Sequence, residues 1–180
     1  SPRGGTVVCH NRLNKMIRMS GVLFALLLSG PQSESPVADA AQRGDLDTVR
    51  VLLRSGADVN AAQNSGMSAL HWAAQQNDAP VIEILLYAGA NTEATTRLGG
   101  YTPLHLAGRA GNALALDALL SGGAEAEVFT TTGATALHFA ASSGRAAAVE
   151  TLIRHGASIN VTTQSDAQTP LMWATASNRL

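Results

Sequence analysis

Two short motifs recur along this chain at almost constant spacing. The stretches "SPVADAAQRGD" (35–45), "SALHWAAQQND" (68–78), "TPLHLAGRAGN" (102–112), "TALHFAASSGR" (135–145) and "TPLMWATASNR" (169–179) align, their starts 33, 34, 33 and 34 residues apart. A second series keeps the same period: "LLRSGADVN" (52–60), "LLYAGANTE" (85–93), "LLSGGAEAE" (119–127) and "LIRHGASIN" (152–160). A period of this length marks a stack of supersecondary units, each burying its apolar face against its neighbours.

Within each copy the residue types predict two short helices. Ser35, Ser68, Thr102, Thr135 and Thr169 stand where a hydroxyl can cap the first free amides of a helix. Pro36, Pro103 and Pro170 follow three of them, at the first helical position, where proline is well tolerated. Leu70, Ala73, Ala74 and Leu137, Ala140, Ala141 then give a narrow apolar face at helical spacing. Gly44, Asn77, Gly111, Gly144 and Asn178 are suited to the left-handed stop. The second helix is carried by Val49, Leu52, Leu53 and their counterparts, such as Leu116, Leu119 and Leu120, and ends at Gly56, Gly89, Gly123 and Gly156. A polar connector leads to the next copy. The expected fold is all-α, a solenoid of about four complete repeats (near 35–67, 68–101, 102–134 and 135–168) and a partial fifth at 169–180.

This unit resembles the ankyrin repeat, whose signature is close to G-x-TPLH-x-AA-x-x-G on the first helix and LL-x-x-GAD-x-N after the second. The resemblance covers residues 35–180 and implies helix pairs joined by β-hairpin-like loops. Three departures bear on the fold. The first copy has Val37-Ala38 for Leu-His, and puts Asp39 where later copies carry Trp72, Leu106, Phe139 and Trp173. A polar residue there suits the outward face of a terminal repeat. Gly108 replaces the second alanine, at about 1 kcal/mol of helix propensity. Ala167 replaces the usual turn glycine in the last connector, which is expected to weaken that hairpin. Because the fifth copy stops inside or just after its first helix, the natural protein is expected to continue beyond Leu180.

Composition narrows the function. After Met19 the chain carries eight arginines, no lysine and 13 acids, a poor electrostatic match for nucleic acid. Cys9 is the only cysteine, so neither an intrachain disulfide nor a thiolate metal cluster can form. Residues 1–15 precede any plausible start methionine and read as a leader that need not be native. In "MIRMSGVLFALLLSG" (16–30) a basic start precedes an apolar run from Val22 to Leu28. That run is too short for a membrane span of about 20 apolar residues. Residues 16–34 read instead as a secretory signal peptide, placing the protein outside the cell or in the periplasm, or in the cytoplasm if 16–30 is not a signal.

The candidate chemistry is sparse. His71, His105 and His138 share one slot in successive copies. Packed helices lie roughly 8–10 Å apart, too far for three such rings to ligate one zinc ion at about 2 Å. The resemblance implies that each histidine bonds back to its capping residue, Thr102 in the case of His105, and to loop backbone. Glu93, Glu125 and Glu127 sit on a loop expected to be solvated, without the pocket that would tune a carboxylate pair. Ser142 and Ser143 have no base nearby, and no phosphate loop, H-E-x-x-H or C-x-x-C motif is present. No catalytic residue, metal site or cofactor is expected.

What remains is a binding surface. The resemblance implies contacts from the loop tips and the exposed side of the first helices. Here these are Asn64, Ser65, Met67, Gln75, Gln76, Arg97, Tyr101, Arg109, Thr131, Thr132, Ala134, Ser142, Ser143, Gln164 and Gln168. Tyr101 with Arg97 and Arg109 is the best hot spot, since interface energy concentrates in aromatic and arginine side chains. Removing Tyr101 and Arg109 is expected to abolish partner capture without changing the melting temperature. The leading expectation is a monomeric, exported, non-catalytic module that binds a protein, with no nucleic acid and no stable membrane anchor. The alternatives are the targeting arm of an enzyme whose catalytic domain lies beyond residue 180, or a bacterial effector that binds host proteins.

Overall fold

A computed structural model describes residues 34–177, and among them there are nine helices and no strands. The helices come in pairs: α1 (Pro36–Gln42) with α2 (Leu46–Arg54), α3 (Ala69–Gln76) with α4 (Ala79–Tyr87), α5 (Pro103–Ala110) with α6 (Ala113–Ser121), and α7 (Ala136–Ser143) with α8 (Ala146–Arg154). The first helix of the fifth copy is α9 (Pro170–Ala176). The proposed leader, the signal segment up to residue 33, and Asn178 lie outside the described residues.

Local chemistry sets the helix ends. Asn77, Gly111 and Gly144 take the left-handed conformation at φ 60°, 71° and 70°, stopping α3, α5 and α7 after about two turns. A polar residue then starts the next helix at once: Asp45 accepts the Thr48 amide at 3.0 Å and Asp78 the Val81 amide at 3.2 Å.

The core is one continuous seam. Leu70, Leu104 and Leu137 from the first helices, and Ile82, Leu85, Leu116, Leu119 and Leu152 from the second, are at most 2% exposed. Burial of each such side chain contributes about 1.5–3 kcal/mol. First helices, faced with Ala73, Ala107 and Ala140, pack on one another more closely than the leucine-rich second helices do. The described stack therefore bends with its first helices on the inside. Gly108 belongs to this close approach: a Cβ there would stand 2.6 Å from the Ala136 carbonyl oxygen.

Each connector projects as a loop whose two ends are joined by a backbone bond. The amides of Gln63, Thr96, Thr130 and Thr163 donate to the carbonyls of Met67, Tyr101, Ala134 and Gln168 at 2.9–3.0 Å. The second and fourth loops hold one extra residue, which accounts for the 34-residue spacings. Ala167 adopts φ 50°, yet its loop still closes, because the Thr163 hydroxyl also accepts the Gln168 amide at 3.0 Å. Adjacent tips join as well, the Arg97 amide donating to Ser65 at 2.9 Å and the Thr131 amide to Gly99 at 3.2 Å.

Asp39 does not face outward as an end cap. Its carboxylate accepts the Gln63 side-chain amide at 2.6 Å, and the Gln63 oxygen accepts the Trp72 indole N–H at 3.1 Å. The first copy is thus tied to the second on the inner side.

Candidate functional site

The three histidines are buried, at 0%, 1% and 0% exposure for His71, His105 and His138. The amides of Ser68, Thr102 and Thr135 donate to the respective Nδ1 atoms at 3.1–3.2 Å, so Nδ1 carries no proton. The same hydroxyls face the ring and the third helical amide, completing a capping box. Nε2 meets only carbonyl oxygens: Tyr101 at 2.9 Å for His71, Val128 at 3.0 Å and Ala134 at 3.3 Å for His105, Gln168 at 3.0 Å for His138. A carbonyl can only accept, which leaves Nε2 as the protonated nitrogen. Burial pushes all three rings below the usual histidine value, His105 to about 4, despite those carbonyls favouring the charged form. Each neutral ring bridges the start of its own helix to the backbone of the following loop.

A second set of polar side chains stitches copy to copy. Asn60, Glu93 and Glu127 share a slot, and their oxygens accept the amides of Asn91, Glu125 and Ser158 at 2.8, 3.2 and 2.6 Å. The two carboxylates are therefore spent on backbone amides rather than paired for acid–base work. Asn112 donates to the carbonyls of Ala74 and Gln75 at the end of α3, and Gln76 to those of Ala41 and Gln42 at the end of α1. His155 reaches Asp117 of the preceding copy at 2.9 Å. The sequence held a signal for the Asn60 slot, a polar residue at 60, 93, 127 and 160 in the repeat register after each helix-ending glycine.

The remaining candidates lie along the inner side. Tyr101 and Phe139 meet edge to face at 5.6 Å between ring centroids, and Phe139 and Trp173 at 5.3 Å. The Arg109 guanidinium lies 5.4 Å above the Tyr101 ring, a cation–π contact. Asn64, Gln75, Arg97, Arg109 and Thr131 are exposed, Met67 and Tyr101 are half-buried, and Ala134 is fully buried. Ser142 shares a hydrogen bond with Ser177 at 3.0 Å, and Ser143 donates to the Ala140 carbonyl at 2.7 Å. Because the Tyr101 ring packs on Phe139 and His105, its removal strips packing, and an unchanged melting temperature no longer follows for the Tyr101, Arg109 double variant. The Trp173 indole N–H is buried without a partner among the described residues; the loop position that gives Trp72 its acceptor, Gln63, holds the shorter Thr163 in the last loop.

A groove of about 720 Å³ opens between α8 and α9, walled by Leu137, Val149, Ile153, Ile159 and Leu171. In earlier copies a second helix packs at this place. Among the described residues no group of histidine, cysteine, aspartate and glutamate could hold a metal ion, and no helix is long and apolar enough to cross a membrane.

A family model described as ankyrin repeats in three copies matches residues 17–96, 37–130, 88–163 and 104–180. The chain belongs to the ankyrin repeat family. Ankyrin repeats generally mediate protein–protein interaction and are typically non-catalytic modules. No curated protein matches this ankyrin repeat chain.

Proposed function

We propose that this ankyrin repeat chain is a non-catalytic, monomeric, exported module that takes a protein partner on its inner face. The observation that carries this reading is the division of labour among polar side chains. The histidines, Asn60, Glu93, Glu127, Gln76 and Asn112 are committed to holding copies together. The rings of Tyr101, Phe139 and Trp173, with Arg109 above the first, form a partly open row beside exposed polar side chains such as Asn64, Gln75 and Thr131. Aromatic and arginine side chains held by their neighbours are typical anchors of an interface.

The test compares two faces. Proteins retained from an extract of the source cells by the immobilised chain are to be lost with Thr131→Arg on the inner face. They are to be kept with Tyr87→Arg on the second-helix face, where Tyr87 is 95% exposed. The reverse pattern refutes the assignment. Export rests on the basic-then-apolar stretch at 16–30. N-terminal sequencing of the product from an exporting bacterial host checks it, and a mature chain that retains 16–30 contradicts it.

A further inference from the structure

Charge is unevenly divided between the two sides of the stack. In residues 61–77, 94–111 and 128–144, the loops and first helices of the three middle copies, Arg97 and Arg109 are the only charged side chains. Asp78, Glu83, Glu93, Asp117, Glu125, Glu127 and Glu150 all fall on second helices, at their N-caps or in the turns after them. A chain that is acidic overall therefore presents a small, purely cationic centre on its inner face.

Both arginines are exposed, and neither guanidinium makes a hydrogen bond or an ion pair among the described residues. Arg109 lies on the Tyr101 ring, and the Arg97 backbone is pinned to Ser65 one residue beyond the Thr96–Tyr101 loop closure. Two exposed guanidiniums with open donors, that of Arg109 seated on an aromatic ring, match a carboxylate, which a planar fork can grip with two parallel bonds. Beside them the aromatic row offers apolar contact. We infer that the partner segment seated at Tyr101 is acidic, an Asp- or Glu-bearing protein segment whose carboxylates engage Arg97 and Arg109 and whose neighbouring apolar side chains lie along Phe139 and Trp173. Two cations are too few to hold a nucleic-acid backbone, whose affinity grows with the number of phosphates neutralised. This inference rests on the inner-face reading above.

The test pans a displayed library of short random peptides against the full immobilised chain at low salt. Recovered peptides are to be enriched in Asp and Glu. They are to bind Arg97→Glu/Arg109→Glu at least about tenfold more weakly, and weaken as salt rises. Arg97→Gln/Arg109→Gln, which removes charge without reversing it, is to fall between, and both variants keep their far-ultraviolet circular dichroism. Peptides that lack acidic enrichment but are lost with Thr131→Arg overturn the acidic partner and leave the inner-face reading standing. Peptides indifferent to every inner-face substitution overturn both. Recovery of no peptide, or displacement by single-stranded DNA with the same arginine dependence, overturns the acidic protein segment.

Discussion

Gly108→Ala separates the packing account from simple helix propensity. In an exposed helix this change stabilises by about 1 kcal/mol. Here the added Cβ would sit 2.6 Å from the Ala136 carbonyl oxygen and 3.4 Å from its carbon, in a helix start that is itself 0% exposed. The neighbouring side chain cannot rotate away, because the obstacle is backbone. That backbone is anchored next door, where the Thr135 amide bonds to His138. Inserting a methyl group into such a contact costs about 1–3 kcal/mol. The balance is a net destabilisation of about 1 kcal/mol, a melting temperature lower by about 2–4 °C in a domain of this size. Thermal denaturation followed by circular dichroism reads it, with Ala141→Gly at the same slot of the next copy as the opposite control. A Gly108→Ala chain that melts higher than the parent refutes the claim that this glycine exists for close approach.

Three further perturbations test other joints. His105 titrates near 6.5 when unfolded and at about 4 when folded, so the unfolded chain takes up a proton that the fold refuses. Stability is expected to fall by about 3 kcal/mol as pH drops from about 6.5 to about 4, with His71 and His138 acting in the same direction. Urea denaturation across that range checks this, and His105→Gln is to flatten the dependence. Asn60→Ala loses an acceptor for the Asn91 amide and a donor to the Gly89 carbonyl, and is expected to cost about 1–2 kcal/mol in the same assay. Ala167→Gly relieves the φ 50° strain and is expected to raise stability by about 0.5–1 kcal/mol, unlike Gly133→Ala, which meets the Gln164 backbone at 2.5 Å and lowers it.

Much of this molecule was legible in its sequence, and the exceptions share a cause. The period, the proline starts, the left-handed stops at Asn77, Gly111 and Gly144, and the leucine seam are local or strictly repeating properties, so residue types alone carry them. Glu93 and Glu127 read as solvated, Asp39 as an outward cap and Gln76 as a partner contact, because each bonds to a group 24 to 35 residues away. No local pattern reveals which oxygen or amide comes to lie opposite. Gly108 was misleading for the same reason: its cost is visible within its own helix, while its purpose lies in the next one.

The central claim is that the stitched residues hold the stack and the strip between them does the binding. Hydrogen–deuterium exchange on the full chain, with and without a captured partner, tests it directly. Added protection is expected over 61–77, 94–111 and 128–144, with the second helices α4, α6 and α8 unchanged. Protection confined to those second helices contradicts the account.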